Sequence, residues 1–166
     1  PVVVVLHMPT NFTDVVCGQI SATTGLPTAA AVNGEELKAG RIYFAPGGVH
    51  LKIVRVGPYL ALAHSDAPPE NFCKPAVDVL FRSVADAVGA GALGVVLTGM
   101  GSDGLDGSRR LVAAGGSVIV QDEATSAVWG MPGEVAMAGL ASAVGPVEQL
   151  GDAIARRLGG SQKAAG

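Results

Sequence analysis

Charge is scarce in this chain. Only 15% of its 166 residues are charged, 11 basic against 14 acidic, for a net charge of −3. There is no basic run, which argues against nucleic acid as a partner. No apolar stretch approaches the length of a membrane span, so insertion is not expected. The opening Pro1-Val2-Val3-Val4-Val5-Leu6 lacks a positive flank and is too short for a secretory signal. Cysteine is nearly missing as well. Cys17 and Cys73 form neither a disulfide framework nor a metal-binding spacing, and read as buried or incidental thiols of a reducing cytoplasm. No internal repeat occurs. What is present is apolar: 49% hydrophobic residues, in a chain long enough for one domain with a real core, suit a sheet buried on both faces.

The informative stretch is Leu93 to Gly104. An apolar run, Leu93-Gly94-Val95-Val96-Leu97-Thr98, ends in Gly99-Met100-Gly101-Ser102-Asp103-Gly104, and a helical pattern follows from Leu105 to about Ala114. In open α/β sheets ligands bind at the carboxyl ends of such strands, which places Asp103 where function usually sits. Gly99, Gly101 and Gly104 also spell the G-x-G-x-x-G of dinucleotide sites, with Asp122 after the next strand. Asp103 and Asp106 argue against that reading. Two carboxylates at the helix start repel a pyrophosphate, whereas they suit a helix N-terminus without a ligand. The plainest role for Asp103 is a helix cap.

Strands and helices alternate along the rest of the chain. A buried strand from Pro1 to Leu6 ends at His7-Met8-Pro9, and a helix from Phe12 to about Thr23 stops at Gly25-Leu26-Pro27. Short strands are expected at Ala30–Val32 and Arg41–Pro46. His50–Val56 and Tyr59–His64 read as an antiparallel hairpin about Gly57-Pro58, with structural or solvated roles for His50 and His64. Pro75 opens a helix to about Val88, with Val77, Leu80, Phe81, Val84 and Val88 facing the core. Arg109 and Arg110 fall on a solvated helix face. Ser117–Gln121 is a buried strand, Gly133–Ala138 a short helix behind Pro132, and Ala141–Val144 a last strand. Pro146 opens a terminal helix with Val147, Leu150, Ile154 and Leu158 on one face. The fold class that follows is α/β: doubly wound, mostly parallel, with helices on both faces and one antiparallel hairpin.

His7 and Asp103 therefore end two different strands at one edge of the sheet. A His oriented by a buried Asp is the base half of a nucleophilic triad. Gly99 to Gly101 would lie near a developing oxyanion. No nucleophile accompanies them. Ser102 adjoins Asp103, Ser65 lies at the hairpin end, Ser126 lacks a glycine-flanked elbow, and Cys17 is mid-helix.

Several blocks resemble the catalytic domain of the chemotaxis protein-glutamate methylesterases. They are Val5-Leu6-His7-Met8-Pro9 with Phe12-Thr13, Gly40 to Leu51, Val77-Asp78-Val79-Leu80-Phe81, Leu97 to Gly104, Gln121 to Ser126, and Gly130-Met131-Pro132. The resemblance implies hydrolysis of glutamate γ-methyl esters on chemoreceptors, with deamidation of selected glutamines. It also implies a cytoplasmic enzyme with a Ser-His-Asp triad, no cofactor and no metal. His7 matches the family's histidine, Asp103 its aspartate, and Met100 a loop methionine lining the site near the oxyanion position beside Gly99 and Gly101. The implied partners are methylated receptor helices and an upstream receiver domain. The family's serine lies in an Ala-Ser-Thr-Gly-Gly type turn that this sequence does not contain, and Phe72-Cys73-Lys74-Pro75-Ala76 departs from a block in which the family often has a His.

Because the sequence opens on Pro1 inside a strand, the first strand, serine turn and helix are expected upstream of it. Residues 1–158 then form the catalytic domain and 159–166 a flexible tail. A degenerate, non-catalytic module that binds a receptor or another partner is the alternative, with a dinucleotide-binding domain behind it.

Overall fold

A computed structural model of the chain describes residues 1–157. The expected 159–166 tail and Leu158 lie outside them. The order of elements is β1 (Val2–Val4), α1 (Thr13–Thr24), β2 (Thr28–Ala30), β3 (Ile42–Phe44), β4 (His50–Val56), β5 (Tyr59–Ser65), α2 (Val77–Ala87), β6 (Leu93–Val96), α3 (Leu105–Ala113), β7 (Ser117–Gln121), α4 (Met131–Met137), β8 (Ala143–Gly145) and α5 (Val147–Arg157). The α/β class, parallel strands and single antiparallel hairpin are as expected. The parallel strands fall into two ladders, β1-β3-β2 and β6-β7-β8, with β4-β5 as the hairpin.

Residue alternation along β3 shows how the layers form. Ile42 and Phe44 point to one face and pack with Cys17 of α1, Val4 and Met8. Tyr43 and Ala45 point to the other face and join the main core, which gathers Leu51, Ile53 and Leu62 of the hairpin, Leu80 and Phe81 of α2, and Val118 and Val120 of β7. Burial on both faces is what a nearly continuous apolar strand requires. The hairpin lies against α2, where Ser83 Oγ accepts the Ile53 N–H at 2.9 Å.

The expected core stripe of α2 is present: Val77, Leu80 and Phe81 are buried, with Val84 and Val88 packed against them. The helix starts two residues later than Pro75 suggests. Ala76 is extended (φ −116°, ψ 142°), and its N–H is donated to Nδ1 of the buried His50 at 3.1 Å. His50 Nε2 donates to the Pro68 carbonyl at 3.0 Å, which makes its role structural. His64 Nε2 likewise bonds the Ala31 carbonyl at 2.9 Å. Arg110 pairs with Asp86 at 2.8 Å on an exposed surface, in keeping with a solvated face. On α5, Leu150 is buried but Val147 is exposed. No helix among the described residues is long and apolar enough to cross a membrane.

Helices α2 and α3 approach closely because Gly107 has no side chain. A Cβ there would lie 2.6 Å from Phe81 Cβ, 3.0 Å from Asp78 Cα and 3.1 Å from the Asp78 carbonyl oxygen. Backbone on the far side cannot give way. Gly107→Ala is therefore expected to lower stability by about 1–3 kcal/mol in urea unfolding. Gly18 on α1 faces open space. Gly18→Ala is expected to raise stability by about 0.5–1 kcal/mol. Equal effects of the two substitutions would contradict the close helix crossing.

Candidate active site

His7 leaves the carboxyl end of β1, and Asp103 sits in the loop between β6 and α3. They are 96 residues apart in sequence, and His7 Nε2 meets Asp103 Oδ2 at 2.7 Å. The loop can deliver Asp103 there because Gly104 takes φ +98°. This conformation disfavours any residue with a Cβ, and here a Cβ would also lie 3.1 Å from Val77 Cγ1. The Asp103 side chain is 2% exposed and that of His7 29%. The acid is therefore enclosed, while the imidazole opens to solvent.

Asp103 does more than hold His7. Its Oδ2 accepts the Val77 N–H at 2.7 Å and its Oδ1 accepts the Asp78 N–H at 2.9 Å. These are first-turn donors of α2, whose own N-cap residue supplies no side-chain bond. Asp78 returns the arrangement. Its Oδ1 accepts the N–H groups of Gly104 at 3.0 Å and Gly107 at 2.7 Å, at the start of α3. Each helix is thus capped by a carboxylate from the neighbourhood of the other. Asn71 Nδ2 joins them, donating to Asp78 Oδ2 at 2.8 Å and reaching Asp103 Oδ1 at 3.4 Å. Asn71 and the capping role of Asp78 escape sequence reasoning. The one available signal is an acid, Asp78, inside the apolar run Val77 to Phe81.

The two carboxyls titrate in opposite directions. Burial pushes Asp103 up, but the hydrogen bond from His7, the Asp78 and Val77 N–H groups and the nearby imidazole together hold it below the ordinary carboxylate value. For Asp78 burial is the largest effect. Reinforced by the Asp103 charge, it raises this carboxyl despite the Gly107 N–H and the Asn71 amide. An ionised Asp103 only accepts, so His7 Nε2 is the donor, and in the neutral ring Nδ1 is the nitrogen that bears the lone pair. Among the described residues nothing hydrogen-bonds to Nδ1.

The other expected site residues lie in the same loop but differ in availability. The Gly99 N–H is donated to the Val128 carbonyl at 3.0 Å, and the Gly99 carbonyl accepts from Gly130 and Met131. The side chain of Gln121 anchors this segment, with Oε1 accepting the Thr98 N–H at 2.9 Å. Gly99 is thus a structural member of the loop. The Met100 residue is 84% exposed. The open groove beside His7 is lined instead by Met8, Pro9, Phe72, Cys73, Lys74 and Pro75. No described serine is hydrogen-bonded to His7. Cys73 is beside it, but burial and then the Asp103 charge push its thiol up, so it is not an activated thiolate.

The geometry also removes the dinucleotide reading. A pyrophosphate at this loop would need the free N–H groups that open α3, and Asp78 already accepts those of Gly104 and Gly107. What remains is a buried, charged Asp orienting a half-open His.

A family model described as CheB methylesterase matches residues 1–154. The chain belongs to that family. It is 50% identical over 162 residues to a protein-glutamate methylesterase/protein-glutamine glutaminase of Bradyrhizobium diazoefficiens, covering 98% of this chain and 41% of that protein. A protein of the same description from Rhodospirillum rubrum is 49% identical over 150 residues, covering 90% and 39%. The crystal structure of the Thermotoga maritima CheB methylesterase catalytic domain superposes with a TM-score of 0.92 at 34% identity, over 94% of this chain and 82% of that one. The chain thus spans about two-fifths of the length of these two protein-glutamate methylesterase/protein-glutamine glutaminase relatives.

The opposed shifts make this site pH-sensitive in a defined way. A depressed Asp103 stabilises the fold above the unfolded-state value of about 3.9, and this contribution is lost as pH falls through its lower folded-state value. A raised Asp78 contributes most below about pH 4 and loses that contribution as pH rises through its higher folded-state value. Asp103→Asn is therefore expected to cost most near pH 7. Its deficit should shrink below about pH 4, as read by urea unfolding across that range. A deficit independent of pH would contradict an ionised, buried Asp103.

Proposed function

We propose that this chain supplies the histidine and aspartate of a protein-glutamate methylesterase. The enzyme hydrolyses glutamate γ-methyl esters on the helices of chemoreceptors, deamidates selected glutamines, and works in the cytoplasm. The observation that carries this reading is the 2.7 Å bond between a half-exposed His7 and a buried Asp103 that also accepts two backbone N–H groups and the Asn71 amide. Names borne by relatives half identical to this chain support it.

In this reading His7 acts through Nδ1, because Asp103 engages Nε2. That is the ring edge opposite to the one Asp engages in the serine-protease triad. Nδ1 takes the proton of a nucleophilic hydroxyl as its oxygen attacks the ester carbonyl. Asp103 supports the imidazolium that forms. The tetrahedral oxyanion is met by N–H groups of the Met100-Gly101 segment. The imidazolium then returns its proton to the departing methoxide, releasing methanol and leaving an acyl-enzyme. Water, deprotonated by the same Nδ1, cleaves the acyl-enzyme to free glutamate and the restored hydroxyl.

The hydroxyl is assigned to a serine outside this chain, on a strand and turn preceding β1. In keeping with this, β1 and β6 are each hydrogen-bonded to a single neighbouring strand among the described residues. Residues 1–158 then make up most of a catalytic domain that works beside an upstream receiver domain.

His7→Ala, in a protein carrying this chain together with its serine, is expected to reduce methanol release from methylated receptor by about 10⁴-fold or more. The fold should persist, because the His7 ring contributes little burial. Unchanged turnover with an intact fold would overturn the assignment.

A further inference from the structure

The loop that closes the groove is unusual. Glu70 and Cys73 exchange backbone hydrogen bonds of 3.1 and 2.8 Å, making a two-residue turn with Asn71 and Phe72 at its centre. Both central residues take positive φ, +51° and +62°, although neither is glycine. Such turns favour Asn at the first central position and Gly at the second, so Phe72 is held against its preference. Surrounding groups impose the conformation. Asn71 donates to Asp78 and Asp103. Glu70 accepts two bonds from Arg82 at 2.6 and 2.7 Å.

The effect of the turn is to bring Cys73 to the His–Asp pair. Ligand-capable atoms of His7, Cys73 and Asp103 all lie within 4.8 Å of one another. They come from three separate segments and offer one nitrogen, one sulfur and one oxygen. Asp78 adds a second buried acid behind Asp103. The cations of this rim are engaged elsewhere, Lys74 with Asp66 at 3.7 Å and Arg82 with Glu70. The thiol makes a single bond, donating to the Asn71 carbonyl at 3.3 Å.

We propose that His7, Cys73 and Asp103 form a binding site for a thiophilic divalent cation of the Zn²⁺ class. A mixed N, S, O donor set suits borderline-soft ions and not Mg²⁺ or Ca²⁺, which take oxygen ligands. Tetrahedral zinc with these donors holds its ligand atoms about 3.3–3.6 Å apart. Metal binding at that spacing requires the Cys73 thiol to rotate away from the Asn71 carbonyl and the His7–Asp103 bond to open slightly. The fourth position faces the open groove and takes water. Binding releases the thiol proton to solvent and forms the metal–sulfur bond, with no change of oxidation state. The bonds from Val77, Asp78 and Asn71 to Asp103 act as outer support for the ligand. A metal there engages the His7 ring, so it blocks the base of the hydrolytic reaction reversibly. That consequence rests on the esterase reading. The binding itself does not.

Cobalt(II) titration of a purified protein carrying this chain together with its serine tests the site without an activity measurement. Stoichiometric binding is expected, with a sulfur-to-cobalt charge-transfer band and visible bands of tetrahedral cobalt. Zn²⁺ should displace the cobalt, and excess Mg²⁺ should not. Cys73→Ser is expected to remove the charge-transfer band and weaken binding by about 100-fold or more, and His7→Ala to weaken it similarly. Cys17→Ser should retain the band. Circular dichroism confirms folding of each variant, and alkylation of the half-buried Cys73 in the parent chain gives a second route to the same loss. Absence of the band, its survival in Cys73→Ser, or its loss in Cys17→Ser instead would overturn the proposal. Methanol release by the metal-free enzyme is independent of all three outcomes.

Discussion

Two carboxylates hold this site together. Asp103 precedes α3 but caps α2, and Asp78 belongs to α2 but caps α3. A helix start leaves N–H groups without intrahelical partners, and neither helix has a local side chain to satisfy them. Exchanging acids solves both ends at once. It also requires the helices to cross closely, which Gly107 allows. The position of Asp103 is therefore a consequence of helix packing. A shift of α2 against α3 would move Asp103 away from His7.

The same exchange decides charge. Two acids buried side by side repel, and burial disfavours the ionised form of both. Asp103 remains below its ordinary value because His7 and two N–H groups address it, while Asp78 is raised despite similar company. The difference lies in the histidine. An ionised acid beside His7 and a less acidic one behind it is the distribution that a base-orienting role needs. The bond that orients the His7 ring also leaves Nδ1 as its free nitrogen.

Around this pair the structure imposes local costs that the elements themselves do not explain. The turn at Asn71 and Phe72 adopts a left-handed backbone without glycine. Asn71 is tied to the two acids, so the turn is built from the site outward. Its product is a thiol beside the histidine. On the opposite side, Gln121 and the Val128 carbonyl hold the glycine loop in place. Gly99 is consumed by that scaffold, and Met100 and Gly101 are left facing outward.

Much of this was legible in the amino-acid sequence. Strand and helix periods, the hairpin about Gly57-Pro58, the core stripe of α2 and the placement of His7 and Asp103 at strand ends all follow from local pattern, because side-chain period and turn chemistry are encoded within a few residues. The G-x-G-x-x-G match was also local, and its two acids already counted against a phosphate there. What only the tertiary structure decided are relations between segments. These are the ring nitrogen that Asp103 engages, the acid that caps each helix, the engagement of the Gly99 N–H, and the arrival of Cys73 next to a histidine 66 positions earlier in the numbering. A sequence pattern carries no information about partners brought together by the path of the chain. Cys73 reads as an incidental thiol in isolation, and it comes to lie beside His7 and Asp103 only because a strained turn, held by Asn71 and Glu70, carries it there.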